Sequence, residues 1–158
     1  MALMTPLHLG TIAALTPDDF EVDIYDESVL DPLTPETDFA KNYDLVGVTG
    51  YIAHLPRAKE LGAMFRAQGL PVVIGGPGVS GSPEFCRDSF DVMMLGEAEL
   101  TWPRFLKEWK QGKHLAEYRQ VERPDLTLTP APKWGAVEKY MDRYAMGGVQ
   151  TTRGCPFD

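Results

Sequence analysis

Apolar positions along this chain change their spacing several times, and each change marks an element. Leu7, Leu9, Ile12, Ala13 and Leu15 form a helical stripe that stops before Pro17. Glu21 to Tyr25 then alternates charged and apolar residues, which predicts a strand exposed on one face. Residues 26–42 are rich in Asp, Pro and Thr and read mostly as loop, with a short helix near Thr37 to Asn42. Leu45 to Gly50 is a continuous apolar run ending in glycine, the pattern of a strand buried on both faces. Helical spacing returns at Leu55, Ala58, Leu61, Met64 and Phe65, with Gly69 as the stop. A third strand, Pro71 to Ile74, runs into Gly75-Gly76-Pro77-Gly78-Val79-Ser80-Gly81, and a short helix follows at Pro83 to Arg87. Asp91 to Leu95 is the fourth strand, ending at Gly96-Glu97-Ala98-Glu99. The helix after it carries Trp102, Phe105, Leu106 and Trp109 on one side and ends near Gly112.

Strands alternating with helices at this spacing predict an α/β fold, a doubly wound and mainly parallel sheet of the Rossmann-like kind. From Glu117 the pattern dissolves, and Pro124, Pro130 and Pro132 punctuate a polar stretch of linker composition. The expected organisation is an α/β domain over 1–113, a linker over 114–148, and the stub of a further domain over 149–158. Only Met1 to Met4 precedes the first helix, too short for an ordinary strand of about 5–6 residues. The first strand of the sheet is therefore expected to be missing or stunted, in a chain shortened at its start. A gap in the sheet then implies low stability or a swapped oligomer, a homodimer included.

Composition narrows the partners. A net charge of −8 argues against nucleic acid and anionic membrane surfaces. No apolar run approaches the ~20 residues of a membrane span, and no leader-like segment opens the chain. Two distant cysteines, Cys86 and Cys155, make no disulfide framework, so a cytoplasmic setting is expected.

In open α/β sheets, ligands sit beyond the carboxyl ends of the strands. Three glycine-bearing loops fall there: Thr49-Gly50-Tyr51, Gly75-Gly76-Pro77 with Val79 and Ser80, and Gly96-Glu97. Glycine lets backbone come close to a flat or bulky ligand, and Thr49 and Ser80 offer hydroxyls. Any one of these glycines could simply turn the chain; the three loops together favour a site. Gly76 to Gly81 formally matches G-x-G-x-x-G, with Glu97 or Glu99 about twenty residues on. That fingerprint belongs after a first strand and opens a long helix, whereas here it follows a late strand and Pro83 comes straight after it. The pair Glu97 and Glu99 has no nucleophile beside it; Glu97 is expected to bond loop backbone or cap the next helix near Thr101. The face of Trp102, Phe105 and Trp109 is either core or a dock for another domain.

Three segments in order, Asp44-Leu-Val-Gly-Val-Thr-Gly50, Val73-Ile-Gly-Gly-Pro-Gly-Val-Ser80 and Asp91-Val-Met-Met-Leu-Gly-Glu-Ala-Glu99, carry a family resemblance. Arg123-Pro-Asp-Leu126 with Pro130-Ala-Pro132, and the ending Thr151-Thr-Arg-Gly-Cys-Pro-Phe157, extend it over nearly the whole chain. Together they resemble the N-terminal half of the cobalamin-dependent radical S-adenosylmethionine enzymes. The resemblance implies a flavodoxin-like domain that holds cobalamin through Thr49, Gly50, Tyr51, Gly75, Gly76, Pro77, Val79, Ser80, Gly96 and Glu97. It also implies a following partial barrel with a [4Fe-4S] cluster and S-adenosylmethionine. By the CxxxCxxC motif, Cys155 is the first cluster cysteine, and the second falls one residue beyond Asp158. One thiolate cannot hold such a cluster, so this chain alone is not expected to be catalytic.

The sequence departs from that family in two places. The first strand and its loop are missing, and Pro77-Gly78 stands where members often carry Pro-His. None of His8, His54 and His114 lies in the Asp-x-His-x-x-Gly setting that holds cobalt in many cobalamin domains, and family members commonly bind the cofactor without a histidine ligand. Tyr51 either covers the corrin face or is plain core. The expected function is cobalamin binding within a methyltransferase acting on an unactivated carbon. The alternative is a non-catalytic docking module that has lost its cofactor, and flavin or nucleotide binding is third.

Overall fold

A computed structural model describes residues 2–153. The chain divides into two compact units, one from the described parts of Met1–Pro32 and Pro130–Asp158, the other from Leu33–Thr129.

The continuous unit holds the main sheet. Its strands are β2 (Val46–Thr49), β3 (Val72–Gly75), β4 (Val92–Leu95) and β5 (Glu117–Arg119), following β1 (Ala2–Met4) in the other unit. They lie side by side in sequence order, and every pairing is parallel. Thr49 stands opposite Gly75, Ile74 opposite Met93, and Met94 opposite Tyr118. Parallel neighbours need crossovers, and helices supply them. α2 (Leu55–Ala67) joins β2 to β3, and α5 (Thr101–Lys110) joins β4 to β5. The short α3 (Pro77–Gly81) and α4 (Pro83–Cys86) lie between β3 and β4.

Alternation along the strands splits the side chains between two faces. Val72, Ile74, Met93 and Leu95 pack with Leu55, Ala58 and Phe65 of α2 and with Val79, Cys86 and Phe90. On the opposite face, Phe105 of α5 is fully buried, with ring centroids 5.6 Å from both Trp102 and Tyr118 and 6.0 Å from His114. A sheet covered on both faces explains why β3 and β4 read as unbroken apolar runs. The aromatic stripe of α5 thus supplies core.

The other unit carries α1 (Leu7–Leu15) and a two-stranded parallel sheet of β1 with β6 (Tyr144–Met146). Its core gathers Ala13, Ile24 and Val137. Tyr144 donates its hydroxyl to Asp26 at 2.8 Å, and burial together with that carboxylate raises its pKa.

The early and late parts of the chain depart from the expected pattern in places. Residues 21–25 form no strand, although Val22 and Ile24 do turn inward while Glu21 and Asp23 stay exposed. The alternation records one-sided burial, but no neighbouring strand completes a ladder. Thr37 to Asn42 is irregular chain and turn, pinned when Gln68 accepts from the Phe39 amide at 2.9 Å and donates to the Thr37 carbonyl. The first strand is stunted, as expected: it has three residues, and they pair with β6. The stretch read as linker contains β5 and β6. β5 was hidden because only Tyr118 of its three residues is buried, with charged Glu117 and Arg119 on either side, a composition suited to a sheet edge.

Among the described residues, no helix is long and apolar enough to cross a membrane.

Candidate functional site

Because the four strands are parallel, their carboxyl ends share one edge, and all three glycine-bearing loops emerge there. The strand order within this sheet does not reverse, so the shared edge itself brings the loops together.

The loops after β2 and β3 touch through backbone. The Gly78 amide donates to the Gly50 carbonyl at 3.0 Å. A Cβ on Gly78 would lie 2.6 Å from that carbonyl oxygen and 2.8 Å from the Tyr51 carbonyl carbon. The histidine that the sequence resemblance leads one to expect at this position has no room there in this chain. Gly76 adopts φ 96° and ψ −179°, a region essentially reserved for glycine, and a Cβ on it would meet Thr49 Oγ1 at 2.4 Å. A Cβ on Gly75 would make only ordinary contact with Met94, and Pro77 opens α3.

Ser80 joins the second loop to the third. Its hydroxyl donates to the Gly76 carbonyl and accepts from the Gly96 amide, both at 2.9 Å. Its single proton is therefore spent within the protein, and what it offers the site is loop spacing. Val79 is wholly buried among the α2-side core and anchors the same turn from beneath. Replacing Ser80 with Ala is expected to lower stability by about 0.5–1.5 kcal/mol, since its bonds to the Gly76 carbonyl and to the exposed Gly96 amide are lost. Hydrogen exchange should show that amide opening faster while amides of β3 keep their protection; an unchanged Gly96 rate would contradict this account.

Sequence reasoning missed Gln120, which follows β5 in the stretch read as linker. Its amide donates to the Leu95 carbonyl at 2.9 Å, and its side-chain oxygen accepts from the Leu100 amide at 3.2 Å. A Cβ on Gly96 would strike the Gln120 carbonyl at 2.6 Å. The fourth loop thus braces the third. Glu97 is half-buried, and its carbonyl accepts from Thr101 Oγ1 at 3.2 Å. The N-cap of α5 is Leu100, with no side-chain cap bond, so the helix start is held by the threonine hydroxyl and by Gln120.

At the same edge Tyr51, Ile52 and Leu100 are 64%, 61% and 63% exposed. Large apolar side chains raised into solvent beside free-running backbone suit a broad ligand with an apolar face and a polar fringe. A corrin ring with its peripheral amides has that character, and the residues present fit it. The G-x-G-x-x-G match opens a five-residue helix that stops at Ser82, unlike the long helix a dinucleotide site needs. Among the described residues, no group of three or more His, Cys, Asp or Glu could hold a metal ion. Cys155, expected as a cluster ligand, lies outside the described residues. An open depression of about 430 Å³ in the other unit is lined by Val22, Asp23, Gly135, Ala136, Glu138 and Lys139, and brings together none of the predicted residues.

Comparison with known proteins agrees with the geometry. The chain is 32% identical over 156 residues to an uncharacterized methyltransferase of Synechocystis sp., covering 98% of this chain and 28% of the relative. It is 28% identical over 155 residues to the bacteriochlorophyllide d C-8(2)-methyltransferase of Chlorobaculum tepidum, covering 95% of this chain and 34% of the relative. With the hopanoid C-2 methylase of Rhodopseudomonas palustris the identity is 30% over 162 residues, 99% of this chain and 29% of the relative. The chain spans about a third or less of the length of these relatives. No solved structure matches it. The family model for the B12 binding domain matches residues 2–106, which contain β2, β3, β4 and all three glycine-bearing loops. With its parallel sheet, its glycine-spaced carboxyl edge and that match over most of its length, the chain belongs to the B12 binding domain family.

Proposed function

We propose that this chain is the cobalamin-holding portion of a radical S-adenosylmethionine methyltransferase that acts on an unactivated carbon. The observation that carries the reading is the convergence of three thin, glycine-spaced loops and exposed Tyr51, Ile52 and Leu100 on one sheet edge, in a chain of the B12 binding family. The names of its relatives, a bacteriochlorophyllide d methyltransferase and a hopanoid methylase, support the methyltransferase part.

When bound, cobalamin supplies a cobalt-borne methyl group. The residues of this chain bind and orient. Gly76 and Gly78 keep the second loop flat against the first, Ser80 and Gln120 fix the spacing of the loops, and the exposed apolar side chains exclude water from one face of the ligand. In this reading residues 1–113, with β5 and Gln120 completing the sheet edge, hold the cofactor, the rest of 114–148 leads away from it, and 149–158 begin the radical S-adenosylmethionine portion, with Cys155 as a ligand of its [4Fe-4S] cluster.

Hydroxocobalamin mixed with the purified chain and passed through gel filtration should co-elute as visible colour with the protein peak. A folded chain that emerges colourless would sink the proposal.

A further inference from the structure

The chain has three histidines. His8 lies in α1 of the other unit, and His114 packs edge-on against Phe105. The third, His54, is exposed at the carboxyl edge of the main sheet, at the end of the 3-10 turn Ile52–His54 that follows the first loop. Its ring is not loose. Nδ1 accepts from the Tyr51 amide at 3.2 Å, and the ring meets that of Tyr51 edge-on with centroids 6.0 Å apart. The absence of a side chain on Gly50 makes this possible, because a Cβ there would lie 2.8 Å from His54 Cβ.

A neutral imidazole has one basic nitrogen lone pair and one N–H. Here the lone pair is Nδ1 and is engaged by the Tyr51 amide, so the proton sits on Nε2. A nitrogen bearing a proton cannot coordinate a metal. Moving the proton to Nδ1 would set two N–H groups against each other. What His54 has left to offer at this edge is therefore a hydrogen-bond donor.

We propose that His54 braces the turn after β2 through Nδ1 and presents its Nε2–H to a carbonyl on the polar fringe of the bound ligand. The proposal rests on the cobalamin reading above, and its ligand chemistry is that of a corrin's peripheral amides.

The test uses the 158-residue chain with hydroxocobalamin. Equilibrium dialysis should show H54F, which keeps ring bulk but lacks the donor, binding about tenfold more weakly than wild type. H54Q, which keeps a side-chain N–H, should recover part of the loss, and far-UV circular dichroism should show all three chains folded alike. After reduction to cob(II)alamin, electron paramagnetic resonance spectra of chains carrying natural-abundance and 15N-labelled histidine should be identical. A labelling-dependent nitrogen splitting that vanishes in H54F makes His54 the ligand and overturns the proposal. So does wild-type affinity in folded H54F. A wild-type chain that does not bind hydroxocobalamin overturns the cobalamin reading, and this assignment with it.

Discussion

Gly76→Ala is expected to destabilise the chain by roughly 3 kcal/mol or more and to abolish hydroxocobalamin binding under conditions where wild type co-elutes. Two costs add. A non-glycine residue held at φ 96° and ψ −179° carries strain of about 1–3 kcal/mol. The new methyl would also lie 2.4 Å from Thr49 Oγ1, a distance that van der Waals repulsion forbids. Turning the Thr49 side chain can relieve the clash, but the strain at φ 96° is relieved only if the loop moves, and the loops are coupled. Ser80 ties the Gly76 carbonyl to the Gly96 amide, while Gly78 ties the same turn to Gly50. A shift of the second loop therefore reaches the first and the third. Chemical denaturation with ligand-binding assays on the same preparation separates the parts. Full binding in a Gly76→Ala chain would show that the loop spacing is not what holds the ligand.

Phe105→Ala tests the other face of the sheet. The ring is fully buried between Trp102, His114 and Tyr118, and removing it deletes the centre of that cluster. Losses for such truncations run at about 3–5 kcal/mol. At this chain length that lowers the melting temperature by roughly 10 °C or more, provided that unfolding remains cooperative. Phe105→Leu fills most of the volume and should cost less than half as much. Thermal denaturation followed by near-ultraviolet circular dichroism reports both variants. Equal melting of Phe105→Ala and wild type would mean that α5 does not hold this face.

Much of the fold was legible in the sequence because burial and period coincided. β3 and β4 are covered on both faces, so Val72 to Ile74 and Val92 to Leu95 announce themselves as apolar runs. α2 and α5 have one buried face, and the helical period shows it. The stretch at 21–25 misled because alternation measures burial, whereas a strand also needs a partner to bond. β5 escaped because an edge strand of three residues has only Tyr118 to bury. The loops of the candidate site were visible through their glycines, but the reasons differ from residue to residue. Gly76 answers to backbone geometry, Gly78 to the approach of another loop, and Ser80 to a bond between loops. None of these causes can be told apart without coordinates. Gln120 and the Nδ1 bond of His54 were invisible for the same reason, since both join positions through backbone amides that carry no sequence signature.

The two units also differ in when a growing chain could complete them. Leu33–Thr129 is one uninterrupted run whose parallel strands are joined by local crossovers, so each strand can dock on the one made just before it. The other unit is closed by partners from opposite ends of the sequence. Ala2 must wait for Tyr144, and Thr5 Oγ1 accepts from the Gly148 amide 143 positions away. Loop-closure entropy makes such contacts slow to gain, though their length adds little to the final cost. During synthesis the carboxyl edge with its glycine loops can thus be complete while β1 and α1 still lack their partners. Vectorial synthesis orders the assembly, with the glycine-bearing edge first and the pairing of β1 with β6 last.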